Sequence, residues 1–73
     1  MSKQRIVIFG VSAYGRAIYR VFRENKNYEI VAFIDNDPQK HGGTFDGKKI
    51  INPLNLNQLK YDQIYVAGRF IDE

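Results

Sequence analysis

A glycine-flanked turn follows the first apolar run of the sequence. It reads Gly10-Val11-Ser12-Ala13-Tyr14-Gly15 and separates residues 6–9 from a helical pattern. Backbone N–H groups at the start of a helix have no intrahelical acceptor, and the helix dipole adds partial positive charge there. Such a corner can receive an anionic phosphate. The candidate phosphate-binding residues are therefore Gly10, Ser12, Ala13, Tyr14 and Gly15.

Ser12 departs from the G-x-G-x-x-G pattern of dinucleotide-binding turns. In that pattern Gly10 permits the sharp turn, and Gly15 lets the helix approach the strand closely. Ser12 stands where a glycine normally lets the backbone touch a pyrophosphate, so its Cβ narrows the approach. Its hydroxyl can either donate a hydrogen bond to a phosphate oxygen or cap the helix. A tight turn between a strand and a helix can require glycines even without a ligand. The turn can therefore be either a phosphate-binding site or only a structural connection.

Asp35 is the second candidate for ligand binding. It ends the second apolar run about twenty residues after Gly15, where a carboxylate can accept hydrogen bonds from a ribose diol. The same carboxylate disfavours the extra phosphate of NADP, although Lys40 and His41 lie near enough in the sequence to leave that preference open. The run Asp-Asn-Asp-Pro that begins at Asp35 is also typical of a turn, whatever the ligand.

The apolar runs on either side of the turn predict a strand–helix–strand unit. Residues 5–9 and 28–34 are rich in β-branched and aromatic side chains, as buried parallel strands are. The residues between them predict a helix from 13 to about 25. We expect its buried face to carry Tyr14, Ala17, Ile18, Val21 and Phe22. Such units are right-handed in nearly all proteins, which brings the carboxyl ends of the two strands together. Gly10 and Asp35 should therefore be neighbours.

The second half of the chain predicts smaller elements. Asp46-Gly47 favours a type I′ hairpin within residues 42–51. Asn52-Pro53 predicts the cap and first residue of a short, irregular helix. Residues 63–67 predict the third core strand, and residues 69–73 look like the first turn of a further helix.

These elements predict an α/β domain with a Rossmann-like parallel sheet of three core strands. At 73 residues the chain can hold one core. We expect a truncated three-layer domain, the N-terminal part of a longer protein. The second face of its sheet should be uncovered and available to the rest of that protein or to a second copy.

Composition and charge narrow the classes of function. The net charge is +3, but the basic residues are spread along the chain, so nucleic-acid binding is not indicated. The chain has no cysteine, which excludes disulfides and thiolate metal sites. No apolar run approaches the roughly 18 residues needed to span a membrane. We expect a cytoplasmic protein.

The sequence offers no catalytic set. It has neither a Tyr-x-x-x-Lys pair nor clustered carboxylates with an acid/base split. We interpret His41 as a loop residue, and Arg16, Arg20 and Arg23 as a solvated helix face.

Three segments, residues 6–20, 28–56 and 61–68, together resemble the Rossmann-like N-terminal domains of bacterial surface-polysaccharide enzymes. The phrase Val31-Ala32-Phe33-Ile34-Asp35-Asn36-Asp37-Pro38, followed by Gly43, Gly47, Ile50 and Ile51, matches a recurrent pattern of that group. Such domains occur in sugar-nucleotide dehydratases and epimerases, sugar O-acetyltransferases, methyltransferases and glycosyltransferases.

The resemblance implies that NAD or a UDP-sugar binds at Gly10, Ser12, Ala13, Tyr14, Gly15 and Asp35. Ser12 departs from the commoner glycine forms, which disfavours a dinucleotide more than a UDP-sugar. Two alternatives remain. One is a docking or oligomerisation module without a ligand. The other is the cofactor half of an NAD-dependent dehydratase or epimerase, which a Tyr-x-x-x-Lys pair beyond Glu73 would support.

Overall fold

The structure is a computed structural model that describes residues 3–66 and 69–72. Within these residues one helix, α1 (Ala13–Arg23), accompanies a six-stranded sheet. The strands are β1 (Gln4–Phe9), β2 (Tyr28–Ile34), β3 (Thr44–Phe45), β4 (Lys48–Ile51), β5 (Gln63–Val66) and β6 (Arg69–Asp72). Two 3₁₀ segments, Pro38–Lys40 and Pro53–Gln58, lie in the connections. No helix in this part of the chain has the length and apolarity to cross a bilayer.

The sheet has a parallel core with one antiparallel strand at each edge. Its strand order is β3-β4-β2-β1-β5-β6, with β4, β2, β1 and β5 parallel to their neighbours in the core. The predicted Rossmann-like α/β class is confirmed. The parallel core has four strands rather than three, because β4 of the predicted hairpin also pairs with β2, aligning Phe33 with Ile50.

Both faces of the central strands are buried. Ile6 and Ile8 of β1 belong to the core cluster that includes Tyr19 and Phe22 of α1. Val7 points to the other face, since side chains alternate along a strand, and it too is buried, as are Ala32 and Ile34 of β2. The expectation of an uncovered second face is therefore wrong at the centre of the sheet.

The connection from β4 to β5 explains this coverage. It runs along the sheet in the direction opposite to the β1-to-β2 connection. A right-handed crossover therefore places residues 52–62 on the face opposite α1. Leu56 and Leu59 of this segment are half-buried, whereas Leu54 is exposed. Asn52 caps the segment as predicted, its side chain accepting from the Leu54 N–H at 2.9 Å.

The buried face of α1 differs from the predicted one. Gly15, Tyr19 and Phe22 are buried, whereas Tyr14 is 53% exposed and Val21 is 67% exposed. Ala17 is also exposed, and Ile18 is half-buried. The predicted face and the observed buried face, which contains Gly15, Tyr19 and Phe22, both have helical spacing, so periodicity could not distinguish them. The close approach of Gly15 to the end of β1 fixes the rotation of the helix, and it turns the face that contains Gly15 toward the sheet.

Two aromatic clusters hold the helix and the sheet edges together. Tyr19 of α1 lies 5.5 Å from Phe33 and 5.6 Å from Phe45, measured between ring centroids. Phe22 meets Tyr28 at 5.0 Å and Tyr65 at 5.1 Å. Edge-to-face and tilted pairs at these separations add stabilisation beyond the apolar area that they bury.

The turn between β3 and β4 has the predicted type I′ geometry. Asp46 has a φ of 53° and Gly47 a φ of 78°, and Phe45 pairs with Lys48 across the two residues. The Tyr19 hydroxyl donates to the Asp46 carboxylate, and the Arg23 guanidinium lies 3.3 Å from the same oxygen. These contacts lower the pKa of Asp46, with the Tyr19 hydrogen bond as the main cause. They also fasten the hairpin to α1.

Residues 69–72 form strand β6, so the prediction of a helical turn there is wrong. β6 pairs antiparallel to β5, with Phe70 opposite Tyr65. The Phe70 ring lies 5.2 Å from Tyr65 and 5.7 Å from Phe22. A single helical turn is costly to nucleate, whereas the strand gains ladder hydrogen bonds and these ring contacts.

Gly15 of α1 packs directly against the backbone of Gly10, the residue that follows β1. A Cβ atom on Gly15 would lie 1.9 Å from the Gly10 carbonyl oxygen and 3.0 Å from the Gly10 carbonyl carbon. Both neighbours are backbone atoms and cannot rotate away. This geometry confirms the interpretation that Gly15 lets the helix approach the strand.

We expect Gly15→Ala to destabilise the domain by about 2–4 kcal/mol, the range of severe core disruptions. Helix propensity alone predicts the opposite sign, because alanine is favoured over glycine in a helix by about 1 kcal/mol. Urea unfolding followed by circular dichroism measures the difference. Ala17→Gly, at an exposed position of the same helix, is the control and should cost only about 1 kcal/mol. A more stable Gly15→Ala variant would contradict the close approach.

Candidate functional site

The candidate site lies at the carboxyl edge of the parallel sheet. Gly10 follows β1 with a φ of 105°, a conformation that side-chain-bearing residues rarely adopt. Its N–H donates to the Ile34 carbonyl at 2.7 Å, which joins the ends of β1 and β2. Gly10 and Asp35 are thus neighbours, as the right-handed unit predicts.

The Asp35 carboxylate is bonded to the glycine turn itself. Its Oδ2 accepts from the Val11 N–H at 2.8 Å, and its Oδ1 accepts from the Asp37 N–H at 2.9 Å. The Lys40 ammonium lies 3.7 Å from Oδ2, and the Asp35 side chain is 13% exposed. A carboxylate has about four lone-pair positions, so roughly two remain for ligand hydroxyls.

These contacts keep Asp35 ionised. The Val11 N–H is the largest cause that lowers its pKa, and the Asp37 N–H and Lys40 lower it further. Burial acts in the opposite direction but does not prevail. Asp35 therefore places a fixed negative charge beside the glycine turn. Its bond to the Asp37 N–H also forms the turn that the run Asp-Asn-Asp-Pro predicts.

Ser12 is the N-cap of α1. Its Oγ accepts from the Gly15 N–H at 3.4 Å, and its carbonyl accepts from the Arg16 N–H at 2.9 Å. Of the two roles considered for the hydroxyl, the structure shows the capping one. Because Oγ acts there as an acceptor, its own proton is still available for a ligand oxygen.

Three consecutive N–H groups stand open at this end of α1. The hydrogen bonds found among residues 3–66 and 69–72 use none of the N–H groups of Ser12, Ala13 and Tyr14. The first turn carries no acidic residue that would occupy them. With the helix dipole, they form a position suited to an anion.

The Tyr14 side chain is exposed and lies near Tyr65 of β5. The pKa of the Tyr65 phenol is raised, mainly by the Tyr14 hydroxyl, and burial raises it further. The first turn of α1 is therefore close to the strand on the other side of β1. In doubly wound sheets, ligands bind in the crevice between the two neighbouring strands from which the connections run in opposite directions. In this sheet those strands are β1 and β5.

An open cleft of about 430 Å³ adjoins the turn on the side of β2. Its lining includes Ser12 and Arg16 from the start of α1, and Lys40, Thr44 and Phe45 from the segment that follows β2. Sequence reasoning assigned Arg16 to a solvated face and therefore missed it. Its position directly after Gly15, in the first turns of α1, was the available signal.

His41 belongs to the loop, as predicted, and does not line this cleft. Its Nε2 donates to the Asp35 carbonyl at 2.5 Å. Because a carbonyl oxygen can only accept, Nε2 carries the proton. A second cavity of about 540 Å³, lined by His41, Lys49 and Asn55 among others, contains none of the predicted ligand-binding residues. No group of histidine, cysteine and carboxylate side chains within the described ranges could hold a metal ion.

A family model described as C2185-like, N-terminal, matches residues 2–73. The chain belongs to this C2185-like N-terminal family. No curated protein matches it significantly. The fold of this C2185-like domain is similar to that of UDP-D-quinovosamine 4-dehydrogenase from Vibrio fischeri, with a TM-score of 0.73 and 32% identity. That likeness covers 78% of this chain and 47% of the other.

A second solved structure shares the fold of the C2185-like domain. It is the DAP dehydrogenase of C. glutamicum in complex with DAP, with a TM-score of 0.70 and 16% identity. The likeness covers 92% of this chain and 20% of the other. The C2185-like domain therefore spans less than half of either dehydrogenase.

Replacing Asp35 should expose its contribution to stability. Asp35→Asn keeps one acceptor oxygen and loses one of the two backbone bonds, so we expect the variant to lose about 1–3 kcal/mol at pH 7. Since the pKa of Asp35 is lowered on folding, this contribution is present above its unfolded pKa of about 3.9. It disappears as the pH falls through the folded pKa.

Urea unfolding of both proteins between pH 7 and pH 2 measures this loss. Asp46 and Asp62 also have lowered pKa values, so both proteins should weaken in acid. Only the difference between them isolates Asp35. A difference that stays constant down to pH 2 would show that Asp35 is not held in its ionised form.

Proposed function

We propose that this domain binds a nucleotide, NAD or a UDP-sugar, through the turn from Gly10 to Gly15. The hydrogen bond between the Val11 N–H and Asp35 Oδ2 is the observation that carries the proposal. It holds an ionised carboxylate beside the open N–H groups of α1. A diphosphate would lie against Ser12, Ala13 and Tyr14, and a ribose diol would donate to Asp35.

The exposure of Ser12 limits how the diphosphate can approach. A residue with a Cβ stands where dinucleotide-binding turns place a glycine, and this residue is exposed at the helix end. A diphosphate would therefore meet the open N–H groups and the Ser12 hydroxyl from outside rather than settle deep in the turn. This arrangement suits a UDP-sugar as well as NAD.

The proposal extends to an enzyme of which this domain is one part. Both similar structures are dehydrogenases, and one of them is named for a UDP-sugar. On this basis we propose a parent in bacterial sugar-nucleotide or polysaccharide biosynthesis, and we propose that it is located in the cytoplasm. We assign no catalytic residue to this chain, so the reacting groups would come from elsewhere in the parent. One such parent is an NAD-dependent dehydratase or epimerase, with this domain as its cofactor half.

A docking module is the second candidate function. Val21 is 67% exposed on α1, and Phe70 and Ile71 of the edge strand β6 are 39% and 41% exposed. An apolar edge strand is a ready template for pairing with another chain. This function predicts concentration-dependent association in sedimentation equilibrium. A monomer at millimolar concentration would contradict it.

Titration of the ¹⁵N-labelled chain with NAD⁺ and with UDP-N-acetylglucosamine tests the nucleotide proposal. We expect saturable shifts of the amide signals from Gly10 to Gly15 and at Asp35. Asp35→Asn should weaken binding about 10- to 100-fold, since hydrogen bonds to charged groups contribute about 1.5–3 kcal/mol.

Asp62→Asn is the matched control for this titration. Asp62 also accepts from a backbone N–H, that of Arg5, but at the opposite edge of the sheet. The Asp62→Asn variant should therefore bind like the wild type. Unchanged spectra with both ligands at millimolar concentration would refute nucleotide binding by this chain.

A further inference from the structure

We propose that Arg16 binds the diphosphate of the nucleotide and thereby compensates for the serine at position 12. This inference rests on the proposed function and adds to it a ligand-contacting residue from outside the glycine turn. Ser12 keeps a diphosphate on the outer side of the turn, farther from the backbone N–H groups than a glycine would. The Arg16 guanidinium lies on that outer side, where it can supply the missing charge and hydrogen bonds.

The charge of a diphosphate exceeds what the end of α1 can balance. A diphosphate that joins a nucleoside to a second group carries one negative charge on each phosphate. A helix N-terminus is equivalent to only about half an elementary positive charge. Asp35 adds a negative charge beside the turn, and the Lys40 ammonium, 3.7 Å away, offsets it. A second cation is therefore needed close to the turn.

Arg16 is the cation that the cleft provides for this purpose. Ser12 and Arg16 lie one turn apart on α1, and both line the cleft of about 430 Å³. The cations among the described residues of its lining are Arg16 and Lys40, and Lys40 pairs with Asp35. The ion pairs found within residues 3–66 and 69–72 do not involve Arg16. Its charge is therefore not compensated by a carboxylate.

The Arg16 side chain is directed to the first turn of α1. Its Nε lies 3.5 Å from the Ser12 carbonyl oxygen, and its guanidinium carbon lies 5.8 Å from the centroid of the Phe45 ring. Helical side chains lean toward the N-terminus of their own helix, which favours this position. The hydrogen bond to Ser12 uses Nε and leaves the two terminal nitrogens as donors for phosphate oxygens.

The serine at position 12 and the arginine at position 16 are therefore expected to act together. In dinucleotide-binding turns, a glycine lets the backbone touch the pyrophosphate directly. With a Cβ at that position the phosphate stands farther out, and a long guanidinium side chain reaches it where a backbone N–H does not. Removing the Cβ of Ser12 should make binding less dependent on Arg16.

Calorimetric titration with UDP-N-acetylglucosamine and with NAD⁺ measures the contribution of Arg16. Arg16→Gln should weaken binding about 10- to 100-fold, as expected for lost hydrogen bonds to a charged group. Arg16→Lys should recover part of this loss, because lysine keeps the charge but not the planar pair of donors. Arg20→Gln is the matched control. Arg20 also lies 5.8 Å from the Phe45 centroid but does not line the cleft, so its variant should bind like the wild type.

A double-mutant cycle with Ser12→Gly tests the link between the two residues. With glycine at position 12 the diphosphate can approach the backbone, so Arg16→Gln should then weaken binding only about threefold or less. Glycine is itself accepted as an N-cap, so the Ser12→Gly variant should stay folded, which circular dichroism checks. An equal effect of Arg16→Gln with serine and with glycine at position 12 would contradict the compensation.

The outcomes separate this inference from the proposed function. If the wild type binds either nucleotide and Arg16→Gln binds it as tightly, Arg16 does not contact the diphosphate and nucleotide binding stands. If Arg16→Gln and Arg20→Gln weaken binding equally, a general loss of positive charge or of packing on Phe45 explains both, and the inference is again wrong. If the wild type binds neither nucleotide, the proposed function fails and this inference fails with it.

Discussion

The backbone contact between Gly15 and the Gly10 carbonyl is the constraint on which the rest of the structure depends. A helix that approaches a strand this closely can have only one rotation about its axis. That rotation turns Tyr19 and Phe22 into the core and leaves Val21 exposed. It also directs the open N–H groups of the first turn to the edge where β2 ends.

Electrostatics and backbone geometry reinforce each other at this edge. The helix end offers partial positive charge, and the Val11 N–H holds Asp35 in its ionised form beside it. The carboxylate thereby fixes the turn while it keeps lone pairs for a ligand.

The β3–β4 hairpin has both a structural and an electrostatic role. Phe45 packs against Tyr19 and Phe33, so it belongs to the core as much as to the hairpin. The same ring lies beneath the guanidinium groups of Arg16 and Arg20. Packing of the hairpin onto α1 therefore also positions the guanidinium group of Arg16, which lines the cleft beside Asp35. The stability of the hairpin and the charge of the cleft are linked for this reason.

The sequence by itself determined the features that depend on a few adjacent residues. These are the glycine turn at Gly10, the type I′ turn at Asp46, the Asn52 cap and the buried strand ending before Asp35, because backbone conformation and local hydrogen bonds specify them. Tertiary structure decided which of two helical stripes faces the sheet, that residues 69–72 pair with β5, and that β4 joins the parallel core. It also brought Arg16 and Lys40 to one cleft. Each of these depends on contacts between residues distant in sequence, where several arrangements satisfy the same local pattern and only the packing of the whole domain distinguishes them.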